Sequence, residues 1–180
     1  GTPIPNVTDD NAWYAINAGA YCSYNNDDAN VAIYGRLYNW YAVNDAHNIA
    51  PAGWHVPSYT EWYTTLTNLL GGCSVSGKKL KDNVLWNGDN SSGFKALPGG
   101  RRYSGDCPGG PNTHFSALNL FGDWWTSTTV PSNPAVPSNT TNDAWYFEQD
   151  ANDGSCTITG VGCDWNFNKK TGYSVRLVKD

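Results

Sequence analysis

Few side chains in this 180-residue chain are spaced to do chemistry, and each set stops short of a complete site. Residues 150–154, DANDG, begin like a calcium loop, with oxygen ligands on alternate residues and a glycine. Position 12 of such a loop would be Val161, where a bidentate Glu is needed, so the pattern fails at its most demanding point. The five cysteines, Cys22, Cys73, Cys107, Cys156 and Cys163, contain no C-x-x-C pair. His47, His55 and His114 stand singly, which suits structural roles better than zinc ligation. No nucleophile elbow or phosphate-cradling glycine motif is present. Enzyme activity and a cofactor are therefore not expected, and calcium is the one metal that the acidic loops bring to mind.

A disulfide reading of the cysteines suits an exported protein. Cys156 and Cys163 bracket CTITGVGC, where Gly160 and Gly162 would let the loop turn back on itself. That pair is the expected bridge, with Cys73–Cys107 a second candidate and Cys22 left over.

Composition narrows the partners. The net charge is −5, and no basic run exceeds two residues, so the electrostatic footprint of a nucleic-acid binder is absent. No apolar stretch approaches 18 residues, which argues against membrane insertion. The chain starts at Gly1 and has no Met, so a processed or trimmed product is expected. Nine Trp and 11 Tyr give it far more rigid aromatic surface than an average domain, either as core or as a ligand platform.

The elements that would position such a surface are partly legible. Residues 1–20, with Pro3 and Pro5, read as an extended lead-in, and 21–180 as one domain. Residues 34–38 read as a strand and 39–48 as a short helix, with Trp40, Val43 and His47 on one face. The clearest helix spans 59–70. Ser58 and Glu61 form a capping box, Trp62, Leu66, Leu69 and Leu70 form one apolar stripe, and Gly71 and Gly72 end it. Segments 93–97, 123–128, 144–150 and 172–178 read as short strands, giving an α+β domain. Residues 98–121 and 129–143 read as long loops.

Seven motifs occur in a fixed order: YGRLYNWYA (34–42), PAGWHVPSYTEW (51–62), GKKLK (77–81), SGFKALPGG (92–100), GDWWTST (122–128), AWY (144–146) and KKTGYSVRLVKD (169–180). Together they closely resemble the Fibrobacter succinogenes major paralogous domain, a family of bacterial surface domains related to C-type-lectin-like and formylglycine-generating-enzyme folds. The resemblance implies a C-type-lectin-like fold, a small twisted antiparallel sheet with two helices and long loops. It assigns Trp40, Trp54, Trp62, Trp124, Trp125 and Arg176 to the scaffold. Relatives carry cysteines at the places of Ala50 and Leu177, so core packing must replace one bridge here. The copper-holding cysteines of the formylglycine-generating relatives differ from Cys156 and Cys163 in spacing and surroundings.

The resemblance also implies function: a non-enzymatic ligand-binding domain, an adhesin or receptor-binding unit, in an extracellular or cell-surface location. Its ligand would be a protein or a glycan. Members of the family include variable proteins of diversity-generating retroelements. On that basis the expected ligand surface comprises Tyr146, Glu148, Asp150, Asn152, Asp153, Asp164, Trp165, Asn166 and Asn168. The alternative is a structural subunit or decoration of a surface filament or secreted complex.

Overall fold

The structure, a computed structural model, describes residues 3–104, 114–131, 143–151, 157–159 and 168–180. The lead-in is more than extended chain. Asp9 caps helix α1 (Asp10–Ala15) by accepting from Ala12 N at 2.8 Å. Trp13 is buried, with Nε1 donating to the Lys170 carbonyl at 2.8 Å. Strand β1 (Tyr21–Cys22) pairs antiparallel with β2 (Leu37–Tyr38). The strand expected over 34–38 is thereby shortened, because a helical turn, α2 (Val31–Tyr34), runs up to Gly35 at φ 78°. Helix α3 (Trp40–Val43) is capped by Asn39 and buries Trp40 and Val43. His47 does not share that face. It is exposed and bonds Asp45 through Nδ1 at 2.6 Å.

The capping box forms as the sequence dictates: in α4 (Tyr59–Thr64) the Ser58 side chain receives Glu61 N, and Glu61 reaches back to Ser58 N at 2.8 Å. The stripe then departs from expectation. Residues Thr65–Leu69 form a widened turn, with Leu70 N bonding the Thr65 carbonyl five residues back. The extra residue in that turn shifts the helical phase, so Leu66 is buried while Leu69 is 75% exposed. Gly71 and Gly72 adopt the left-handed backbone that ends the run, at φ 88° and 94°. A further helix, α5 (Cys73–Leu80), begins at once.

The main sheet has five strands in the order β5-β4-β6-β7-β8. They are β4 (Gly99–Arg102), β5 (Phe115–Leu118), β6 (Phe121–Thr129), β7 (Ala144–Asp150) and β8 (Thr157–Thr159). Strands β4 and β5 occupy what reads in the sequence as loop 98–121. The expected all-antiparallel sheet is corrected too, since β4 meets β6 in parallel at Gly100↔Gly122. A Cβ on Gly122 would sit 2.8 Å from the Leu97 carbonyl, so only glycine admits this approach. The strand expected at 93–97 reduces to one bridge, Lys81↔Ala96. The C-terminal segment crosses the others, bridging Arg102 through Gly172, Tyr38 through Tyr173 and Trp124 through Ser174. It ends as β9 (Val178–Lys179) on β3 (Trp54–His55).

Successive residues on a strand face opposite ways, and β6 uses this to feed two cores. Trp124 packs with Trp62, Leu66, Trp86 and Phe147 under α4 and α5. Trp125 packs with Trp40, Val56, Tyr146 and Tyr173 on the other side. A third cluster joins Trp13, Cys22 and Leu37. Each buried aromatic contributes roughly 1.5–3 kcal/mol by leaving water. Trp54 is the exception among the scaffold tryptophans: at the edge of β3 it is 41% exposed. Leu177 packs on the second cluster. Cys22 is free, and burial pushes its thiol up to about 11.

Candidate functional site

The expected ligand surface divides. Tyr146 is not exposed: it is 3% accessible, its ring stacked on Tyr173 with centroids 4.6 Å apart. Its place on β7 opposite Trp125 puts it in the core, so the expectation of an exposed Tyr146 is corrected. Glu148 and Asp150 lie two and four residues on, on the same strand face, and are half-buried. Asn168 bridges Asp143 and accepts from Lys170 N at 3.0 Å. Asn152, Asp153, Asp164, Trp165 and Asn166 lie outside the described residues, as do Cys156 and Cys163.

Glu148 belongs to a charged cluster inside the sheet. Arg101 on β4 places its Nε 2.9 Å from Asp123 Oδ2 on β6, and one terminal nitrogen 3.0 Å from Glu148 Oε2 on β7. Asp123 has no exposure. Burial pushes its carboxyl up to about 7, against the pull of the Arg101 guanidinium. Burial likewise raises the Tyr146 and Tyr173 phenols. These groups are closed in by β4, β6 and β7, where they bind the strands to one another. A second buried arginine, Arg102, holds the lead-in through the Val7 carbonyl at 2.6 Å and Asp10 Oδ1 at 2.6 Å, with its guanidinium 4.4 Å over Trp13.

The open concavity with charged walls lies elsewhere. A cleft of about 410 Å³ is lined by Tyr34, Arg36, Lys95, Trp124, Ser174 and Arg176, among others. These residues come from four of the motif segments, YGRLYNWYA, SGFKALPGG, GDWWTST and KKTGYSVRLVKD. Three cations line the cleft, and no Asp or Glu does among the described residues. Arg176 donates to the Phe94 carbonyl and lies 4.6 Å over the Phe94 ring, which fixes the plane of its guanidinium. Partial burial lowers its pKa. Lys95 sits in left-handed backbone at φ 57°, its N donating to Asn90 Oδ1 at 2.8 Å. Its ammonium is 3.9 Å from Asp82 Oδ2. Arg36 stacks 4.7 Å over Tyr21. Neither Arg36 nor Arg176 forms an ion pair among the described residues.

Sequence reasoning missed this cleft. The three cations fall in three different motifs, and only the crossing of the C-terminal segment over β2 brings those motifs together. Beside it, a groove of about 320 Å³ runs between the widened helical turn and Phe94, with Pro57, Trp62, Leu69 and Val178 as apolar walls and Arg176 at its rim. Among the described residues no group of three His, Cys, Asp or Glu could hold a metal, and no helix is long and apolar enough to cross a membrane.

Comparison with curated proteins and with solved structures gives no match. The family model described as the Fibrobacter succinogenes major domain matches residues 1–179, and so takes in the lead-in that α1 and Arg102 tie to the sheet. The chain belongs to the Fibrobacter succinogenes major domain family.

Proposed function

We propose that this chain is a non-enzymatic ligand-binding domain of C-type-lectin-like fold, an adhesin or receptor-binding unit displayed outside a bacterial cell. One observation carries the reading. Four separated motif segments converge on a single open, cation-lined cleft. Meanwhile Asp123, a carboxyl that burial pushes up to about 7, is sealed inside the sheet, where no substrate reaches it. An open cleft with cations and aromatic walls over a rigid core supports binding, and a walled-in acid supports scaffolding. Family resemblance alone supports an extracellular location and a diversified surface between Glu148 and Asn168. Sequencing sister clones tests the second.

The test is saturable binding of the isolated domain to a glycan array and to intact cells, with calcium and then with EDTA, followed by mass spectrometry of the recovered ligand. Binding that survives EDTA, with the ligand returned unchanged, is the expected result. A chemically altered ligand would contradict it, as would the absence of any saturable binding by a folded sample.

The apolar groove favours a second reading, a structural subunit of a surface filament or secreted complex. Leu69, in its lining, is 75% exposed, and such an apolar surface suits a protein interface. Self-association on a sizing column would support that reading.

A further inference from the structure

We propose that the cleft between β2, Lys95 and Ser174–Arg176 is a carboxylate-binding subsite that takes a sugar acid of an acidic glycan. The inference rests on the ligand-binding reading and names the ligand class.

The charge comes first. The chain carries net −5, yet this concavity gathers Arg36, Lys95 and Arg176 with no acidic residue in its lining among the described residues. Lys95 is partly engaged by Asp82, so the two arginines are the cations left for a ligand. An arginine offers a planar fork that matches a carboxylate in two parallel hydrogen bonds. Arg176 is held ready for this, since its bond to the Phe94 carbonyl and its position over the Phe94 ring fix the guanidinium before anything binds.

The walls then argue for a ring-sized body. Half-buried Tyr34 and Tyr38, with Leu97 and Val175, supply apolar and aromatic surface, and the Ser174 side chain adds a hydroxyl. A cleft of about 410 Å³ falls in the range of small-molecule sites and is roomy for a bare inorganic anion.

Side chains supply the recognition. Tyr38 N bonds the Tyr173 carbonyl at 2.7 Å, and Tyr173 N returns to the Tyr38 carbonyl at 3.0 Å. Ser174 N bonds the Asp123 carbonyl, and its own carbonyl receives Trp125 N, both at 3.0 Å. At Tyr38 and Ser174 the backbone is thus already paired, and what these positions offer a ligand is a phenol and a hydroxyl, which suit the hydroxyls of a sugar ring beside a carboxylate.

Calorimetry of the whole chain tests this with trigalacturonate, its methyl ester, sialyllactose and a triglutamate peptide. At least one acidic saccharide is expected to bind, weakening as salt rises. The ester, which removes the charge and adds a methyl to each carboxyl, should bind about tenfold more weakly or worse, as expected for loss of a charge-assisted pair. Arg36→Gln, with unchanged melting, and Arg176→Lys should each lose affinity on a similar scale, while Val84→Ala, exposed and outside the cleft lining, keeps it. Galacturonate and sialate arms tell which sugar acid fits. Equal binding of acid and ester would overturn the proposal. So would unaffected Arg36 and Arg176 variants, tighter binding of the peptide, or silence across the panel from a folded sample. Silence here with retained binding to intact cells would sink this inference alone, and silence in both would sink the ligand-binding reading with it.

Discussion

Arg101 and Asp123 form an ion pair almost without solvent, Nε to Oδ2 at 2.9 Å, joining β4 to β6 where the two strands run parallel. Their neighbour Glu148 extends the link to β7. Two charges brought out of water at this point are tolerable only as a pair, so each depends on the other. The pair therefore acts as a clamp on the middle of the sheet.

Removing one member should be costly. Asp123→Ala leaves Arg101 buried without its nearest counter-charge, and a loss of about 3–5 kcal/mol is expected from urea denaturation. Glu148→Gln should cost far less, because Glu148 is partly exposed and second in contact. Equal losses from both would show that the clamp does not lie between Arg101 and Asp123.

The lead-in should behave as part of the domain. Arg102 is fully buried and holds Val7, Thr8 and Asp10. Arg102→Met should destabilise by about 1.5–3 kcal/mol, because it removes charged hydrogen bonds to the Val7 and Thr8 carbonyls while Asp10 stays partly in water. It should also open residues 3–16 to limited proteolysis before the rest of the chain. Uniform digestion of parent and variant would contradict this attachment.

Trp62 joins α4 to the sheet by stacking on Phe147, with centroids 4.3 Å apart and planes at 15°. Trp62→Ala should cost about 3–5 kcal/mol, the range for a truncated core aromatic. A variant that melts like the parent would mean that the first cluster is not the core.

His55 ties β3 to both the capping box and the last residue, with Nδ1 2.6 Å from Asp180 and Nε2 2.7 Å from Glu61. Hydrogen bonds to Asp180 and then Glu61 raise its pKa above the usual 6.5. Its folded-state pKa exceeds the unfolded one, so its contribution is complete below the unfolded value. That contribution is lost as pH rises through the folded value. An NMR titration should place the His55 midpoint above that of a model histidine, and melting should fall from about pH 6 to 8 more in the parent than in His55→Asn. A midpoint at or below the model value would show that these contacts do not form.

What the sequence discloses depends on how local each signal is. The Ser58–Glu61 capping box, the Gly71–Gly72 stop and the buried Trp62 are written within a few residues and appear as read. Leu69 leaves the expected stripe because one widened turn rotates the helix, and periodicity assumes that no such turn intervenes. Strands β4 and β5 are hidden in glycine-rich sequence, since Gly100 and Gly122 mark close strand contact as readily as they mark loops. Tyr146 illustrates the same limit at the site. Strand alternation says that it shares a face with Glu148 and Asp150, but not that Tyr173 covers it. The cationic cleft is out of reach for a related reason: Arg36 and Arg176 are 140 residues apart in the chain and meet only through the fold.

The most direct test of the account is a ¹⁵N chemical-shift map of the domain titrated with trigalacturonate or sialyllactose. The account predicts shifts at Arg36, Lys95, Ser174 and Arg176 that saturate together and fade with added salt. Shifts confined to Glu148–Asn168, or none at saturating ligand, would contradict it.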